Sequence, residues 1–203
     1  MSDYGKPANL DTVIFTTAIM ALTESIPFQK GKKAPSFSLP DTVSGNICSL
    51  DELKGEKVTV IMFICNHCPF VVHVNPELVK LANDYKDNGV GFVAISSNSV
   101  ETHSQDGPEL MKVQAQKLGY PFPYLYDETQ DVAKAYDAAC TPDFYVFDDD
   151  LNAVYHGQLD DSRPGNDQPL DGYSIRNVLN ALLEGSEITE PEKPSIGCNI
   201  KWK

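Results

Sequence analysis

The chain has 203 residues, 41% hydrophobic and 22% charged, an ordinary composition for a globular protein that buries a core of its own. Its 16 Lys and Arg against 29 Asp and Glu give a formal charge of −13 with no basic cluster, which argues against nucleic acid and membrane as partners. Apolar runs fall short of the roughly 18 residues a spanning helix needs. The cysteine count of 5 is odd, which does not suit a disulfide-stapled secreted scaffold.

Residues 1–33 show no strand period and read as an N-terminal extension, with a helix expected around Thr12–Thr23. The apolar stretch Val13–Leu22 resembles a signal-peptide core. However, Asp3 and Asp11 outweigh Lys6 before it and no small-x-small cleavage site follows, so a cytoplasmic location is expected. The domain proper is expected over 34–185. Within it, 36–50 reads as a short hairpin around Ser44-Gly45, followed by one helical turn near Leu50–Leu53.

Val58–Ile64 is almost wholly apolar and β-branched, the pattern of a central strand covered on both faces, and it ends at Cys65. Asn75-Pro76 reads as an N-cap and first helical position, so Pro76 either kinks one long helix or separates two. Leu78, Leu81, Ala82 and Tyr85 continue with helical spacing to Asn88-Gly89. Val90–Ser96 is a second buried strand, and a connection this long implies a parallel crossover. Pro108–Leu118 predicts a further helix, and Asp127-Glu128-Thr129-Gln130 has the form of a capping box opening a short one through Tyr136.

After Thr141-Pro142, the segments Phe144–Phe147 and Ala153–Leu159 flank the acidic turn 148–150 as an antiparallel hairpin. Ile175, Val178, Leu179 and Leu182 mark a last amphipathic helix, and 186–203 is a Pro- and Glu-rich tail.

The chemistry centres on Cys65-Asn66-His67-Cys68, a CxxC pair carried by a strand onto a helix start. That spacing puts two thiols within disulfide reach, and a helix N-terminus favours the thiolate, the reactive form. Three readings stand: a redox couple, half of a metal site, or inert core. A closed zinc site wants four ligands, and no second CxxC or CxxH pair exists. Cys65 and Cys68 with one of His67, His73, His103 or His156 would still hold zinc or copper.

The order β-α-β, inserted helix, α, X-Pro, β-hairpin, α, with CxxC after the first central strand, resembles the thioredoxin fold. The leading hairpin, the inserted helix, Cys140-Thr141-Pro142-Asp143-Phe144, Asp160-Asp161-Ser162-Arg163-Pro164 and Ile196-Gly197-Cys198 make it similar to the peroxiredoxin-like redoxin group. That implies an α/β class: three layers, α/β/α, around a mixed central sheet.

By the resemblance, Cys65 is the exposed attacking thiolate and Cys68 the resolving thiol. Pro142 is a cis proline facing them, and the Thr141 backbone pairs with a substrate strand. His67 either favours the thiolate or is simply solvated. Arg163 either stabilises the thiolate or pairs with Asp160 or Asp161. Cys140 and Cys198 are each either extra redox thiols or, for Cys140, small core; Cys48 is expected in the core.

Two positions depart from true peroxiredoxins. Cys65 stands where a Thr or Ser belongs, and Pro142 where an Arg would polarise a peroxide. The expectation is therefore thiol–disulfide exchange, with thiol peroxidase and a metal-binding module as alternatives. The expected partners are a protein or small-molecule disulfide and a reductant such as the thioredoxin or glutathione system, with no cofactor. Oligomeric state is open.

Overall fold

A computed structural model describes residues 22–203, and its elements follow the apolar pattern closely. Strand β1 (Leu22–Glu24) precedes the hairpin of β2 (Ser38–Pro40) and β3 (Ile47–Ser49). Ser49 and Glu52 form a reciprocal capping box on α1 (Leu50–Leu53). Next come β4 (Val58–Phe63), α2 (Pro69–Tyr85), β5 (Val90–Ser96), α3 (Pro108–Leu118), β6 (Tyr124–Tyr126) and α4 (Asp131–Ala135). The chain continues through β7 (Cys140–Thr141), β8 (Asp143–Phe147), β9 (Ala153–Gly157) and α5 (Tyr173–Glu184), and reaches β10 (Ile196–Asn199).

The central sheet has the order β6-β5-β4-β8-β9. β4 runs parallel to β5, with Val58 opposite Val90 and Phe63 opposite Ile95, and antiparallel to β8. Every residue of β4 is buried because both faces are covered. Val60, Met62 and Ile64 face α2 and α5, packing on Val71, Leu78, Ile175 and Val178, while Ile61 and Phe63 face the leading hairpin and α4. Each such side chain contributes roughly 1.5–3 kcal/mol on burial, so the alternation fixes the strand's register. This is the mixed-sheet, three-layer α/β arrangement expected, with its hairpin and inserted helix.

Several local expectations need correction. Of the two readings of Pro76, the single long helix from the CxxC holds, but Asn75 is not its N-cap: α2 runs unbroken from Pro69, which follows Cys68 and takes the first helical position. The bond Pro76 fails to donate would have gone to Val72, whose side chain is largely exposed, so water can reach that carbonyl. Asn75 instead accepts from the Tyr120 hydroxyl at 2.7 Å.

The box at Asp127–Gln130 also fails as read. The Asp127 carboxylate takes the N–H of Ala133 at 2.9 Å, while the Gln130 amide leaves to bond the carbonyls of Ser97 and Lys201. Residues 22 and 23 of the expected N-terminal helix are strand, and the rest of that helix lies outside the described residues.

The tail is not merely appended. β10 lies between β1 and β7 in a separate three-stranded sheet, antiparallel to both. No helix among the described residues is long and apolar enough to cross a membrane.

Candidate active site

Ile64 continues the parallel ladder by donating to the Ile95 carbonyl at 3.0 Å, and the chain then leaves the sheet at Cys65. The carboxyl end of a central strand is where open α/β sheets place their ligands. Cys68 is the N-cap residue of α2, with Pro69 at the first position. Across from them the Thr141–Pro142 bond is cis. The Thr141 hydroxyl lies 3.4 Å from the Cys65 sulfur, and its carbonyl lies 3.2 Å from the Cys68 sulfur.

The third neighbour is Cys198. Its sulfur is 2.6 Å from that of Cys68, 130 residues away in sequence.

Cys65 is not exposed, contrary to the role implied for it. Both motif cysteines have 0% of their surface open to solvent. The ionisation order is also reversed. Cys65 is pushed up, first by its bond to Cys68, then by burial and the negative charge of Asp106. Cys68 is pulled down by its hydrogen bonds with Cys198 and then Cys65 and by the Val71 N–H in the first turn of α2, against the opposing effect of burial. Cys198 is correspondingly pushed up.

His67 does not reach the sulfurs as a hydrogen-bond partner. Its Nδ1 lies 2.6 Å from Asp106, a fully buried carboxylate that also takes the Asn66 N–H at 2.8 Å and the Asn98 amide at 2.9 Å. Burial raises the Asp106 pKa, but these donors, His67 foremost, outweigh it and hold the group below the usual carboxylate range. Asp106 therefore clamps the Cys-Asn-His-Cys loop. Sequence reasoning missed it, since a lone Asp in a short turn carries no periodic signal. His103 stacks on His67 at 4.7 Å.

Arg163 pairs with neither Asp160 nor Asp161 through their carboxylates. Its guanidinium donates to the carbonyls of Asp160 and Ser162 and to the Gln158 side chain, lining a groove with Pro142, Phe70 and His73. Asp160 binds the N–H groups of Ser162 and Gly172, and Asp161 binds Lys193 and Tyr173. Cys140 is buried, with its sulfur toward the Pro142 and Ser195 carbonyls. Cys48 is half-buried in β3, not core.

The sulfur of Cys65, a His67 nitrogen and an Asp106 oxygen lie within 4.8 Å of one another, which is ligand-like spacing. Three donors already occupy the Asp106 oxygens, however, so a cation would have to displace them. His73 and His156 face elsewhere: His73 bonds Ser162, and His156 bonds Asp143 and the Phe28 N–H.

The sheet and the paired thiols at its carboxyl end define a thioredoxin-fold protein. The Redoxin family profile matches residues 29–173, and the chain belongs to that family. An uncharacterized conserved protein from Geobacillus kaustophilus is 63% identical, superposes with a TM-score of 0.89, and is matched over 91% of this chain and 97% of its own. A Mycobacterium tuberculosis protein bearing a provisional peroxiredoxin name is 32% identical over 117 residues, 58% of this chain and 69% of that one. The thiol-disulfide oxidoreductase ResA of Halalkalibacterium halodurans is 30% identical over 106 residues, 52% of this chain and 55% of its own.

Proposed function

We propose that this chain is a thiol–disulfide oxidoreductase in which Cys65 and Cys68 cycle between dithiol and disulfide. The observation that carries the reading is the pair itself, at the carboxyl end of β4 and the N-terminus of α2, with Thr141 within 3.4 Å of both sulfurs. In the forward direction a motif thiolate attacks one sulfur of a disulfide substrate and the other substrate sulfur leaves as a thiol. The second motif thiol then attacks the first motif sulfur, forming the Cys65–Cys68 bond and releasing the remaining substrate sulfur as a thiol, so two electrons pass to the substrate. A thioredoxin or glutathione system would return the motif to the dithiol.

Cys65 is held up by its hydrogen bond with Cys68, with burial and Asp106 adding to the rise, and Cys68 is held down by its hydrogen bonds with Cys198 and Cys65. Asp106 and His67 position the loop, and the Asp106 charge opposes ionisation of Cys65. The test joins mass spectrometry of the oxidised protein with insulin reduction. A Cys65–Cys68 bridge and turnover that falls to background in Cys65→Ser and Cys68→Ser are expected. Absence of both the bridge and the turnover overturns the reading.

Thiol peroxidase is the second reading, favoured by the Thr141 hydroxyl beside Cys65 and by the name of the mycobacterial relative. Pro142 stands where a guanidinium would polarise peroxide, and Arg163 is held by carbonyls in its own loop. Stopped-flow mixing with hydrogen peroxide is therefore expected to give a rate no faster than free cysteine.

A further inference from the structure

Strand β10 sits where the Thr141 backbone would receive a substrate strand. Cys198 pairs with Thr141 and Asn199 with Cys140 in an antiparallel ladder. Gly197 makes the approach possible, because a Cβ at that position would overlap the Thr141 carbonyl. The strand is fixed on both sides of the cysteine. The Ser195 hydroxyl donates to the Gly157 carbonyl at 2.7 Å, and the Ile200 N–H to the Ala139 carbonyl at 3.0 Å. Cys198 is thus held in place, only 2% exposed, with its sulfur 2.6 Å from that of Cys68. Cys140 is equally buried but points at carbonyls, so burial alone does not bring a cysteine to the motif.

From this placement we infer that Cys198 is a third redox thiol, and that Cys68 is the shared sulfur of two alternative disulfides, Cys65–Cys68 and Cys68–Cys198. The inference rests on the exchange activity proposed for the motif and adds an internal partner to it. The two forms interconvert without net redox change. In the Cys68–Cys198 form, the Cys65 thiolate attacks the Cys68 sulfur. The Cys65–Cys68 bond forms as the Cys68–Cys198 bond breaks, and Cys198 leaves as a thiolate that takes up the proton Cys65 gave up. The reverse step hands the bridge to the C-terminal strand. The first disulfide comes from a small-molecule or protein disulfide, which is reduced to two thiols.

The test titrates the full chain with mixtures of reduced and oxidised glutathione, quenches in acid, alkylates and digests without reduction. Cys65 and Cys68 share one tryptic peptide and Cys198 lies in another, so the two bridges differ in kind. One shortens the mass of a single peptide by two hydrogens, and the other joins two peptides. Wild type is expected to show the joined peptide during partial oxidation. Cys65→Ser is expected to show it as the main oxidised product, and Cys198→Ser to keep only the motif bridge.

If Cys65→Ser is folded by circular dichroism and yields no joined peptide where the wild-type motif oxidises, the inference is overturned while the Cys65–Cys68 couple stands. If wild type and Cys198→Ser form no motif bridge at all, it is the oxidoreductase reading that fails. Should Cys65→Ser not fold, the wild-type titration decides: a joined peptide supports the inference, and its absence at every ratio overturns it.

Discussion

Asp106 acts on the motif both mechanically and electrostatically. It receives the Asn66 N–H, the His67 ring and the Asn98 amide while carrying a charge close enough to raise Cys65. Asp106→Asn keeps the shape and removes the charge. It is expected to cost about 1–3 kcal/mol, the usual cost of disturbing a buried hydrogen-bonded group. It is also expected to move the pH midpoint of Cys65 alkylation downward, read peptide by peptide with iodoacetamide. An unchanged or higher midpoint would show that the carboxylate does not act on Cys65. The sign of the stability effect follows from the same group. A carboxylate held below its unfolded range stabilises the fold above that range, and the contribution is lost as pH falls through the depressed value. Denaturation curves of wild type should therefore lose stability below about pH 4, and the variant should lose less there. None of this is legible in the sequence, because the Asp106–His67 contact spans 39 positions and neither residue belongs to a periodic pattern.

At the scale of elements, β4, β5, α3 and the β8–β9 hairpin were legible because apolar period and turn residues agreed with the tertiary burial of each segment. Asn75-Pro76 left one helix or two open, and packing decides for one, overriding the local helix-start chemistry. Asn75 is buried against Tyr120, and α2 stays continuous with its proline near a solvated turn. The seam between α2 and α5 was also invisible. There Arg176 binds the buried Glu77 carboxylate at 2.5 Å and Asp84 at 2.8 Å. Arg176→Met strands Glu77 in a largely desolvated site and is expected to cost roughly 3 kcal/mol, the lower end for a buried pair because Arg176 is partly exposed. Adding Glu77→Gln should recover a good part of that loss in urea denaturation. Additive costs would mean that the two side chains do not act as a pair. For β10 the corresponding change is Gly197→Ala. Its methyl meets the Thr141 carbonyl, so the strand must shift at a cost of about 1–3 kcal/mol. The yield of the Cys68–Cys198 bridge should fall with it.

Over the whole molecule, the two described ends of the chain meet on the segment that faces the motif. β1 pairs with β10 from Leu22–Cys198 to Glu24–Ile196, and β10 pairs with β7 beside the thiols. The Pro- and Glu-rich composition of 186–195 hid this, since it reads as a solvated tail and the strand it delivers has only four residues. Truncation after Ser195 tests what that closure contributes. It removes Cys198 and Ile200, which are 2% and 1% exposed, and leaves β1 and β7 without their partner. Losing two buried apolar side chains at roughly 1.5–3 kcal/mol each costs about 3–6 kcal/mol, against the 5–15 kcal/mol typical of a domain. The central sheet should persist, because none of its five strands contacts β10 through the ladder. The melting temperature should drop by roughly 6–24 °C at the 2–4 °C per kcal/mol usual for this size. Cys68 should become alkylatable at neutral pH without denaturant, since the strand covering its sulfur has gone. An unchanged melting temperature together with a Cys68 as protected as in the full chain would mean that other elements bury the motif, and that β10 does not close the site.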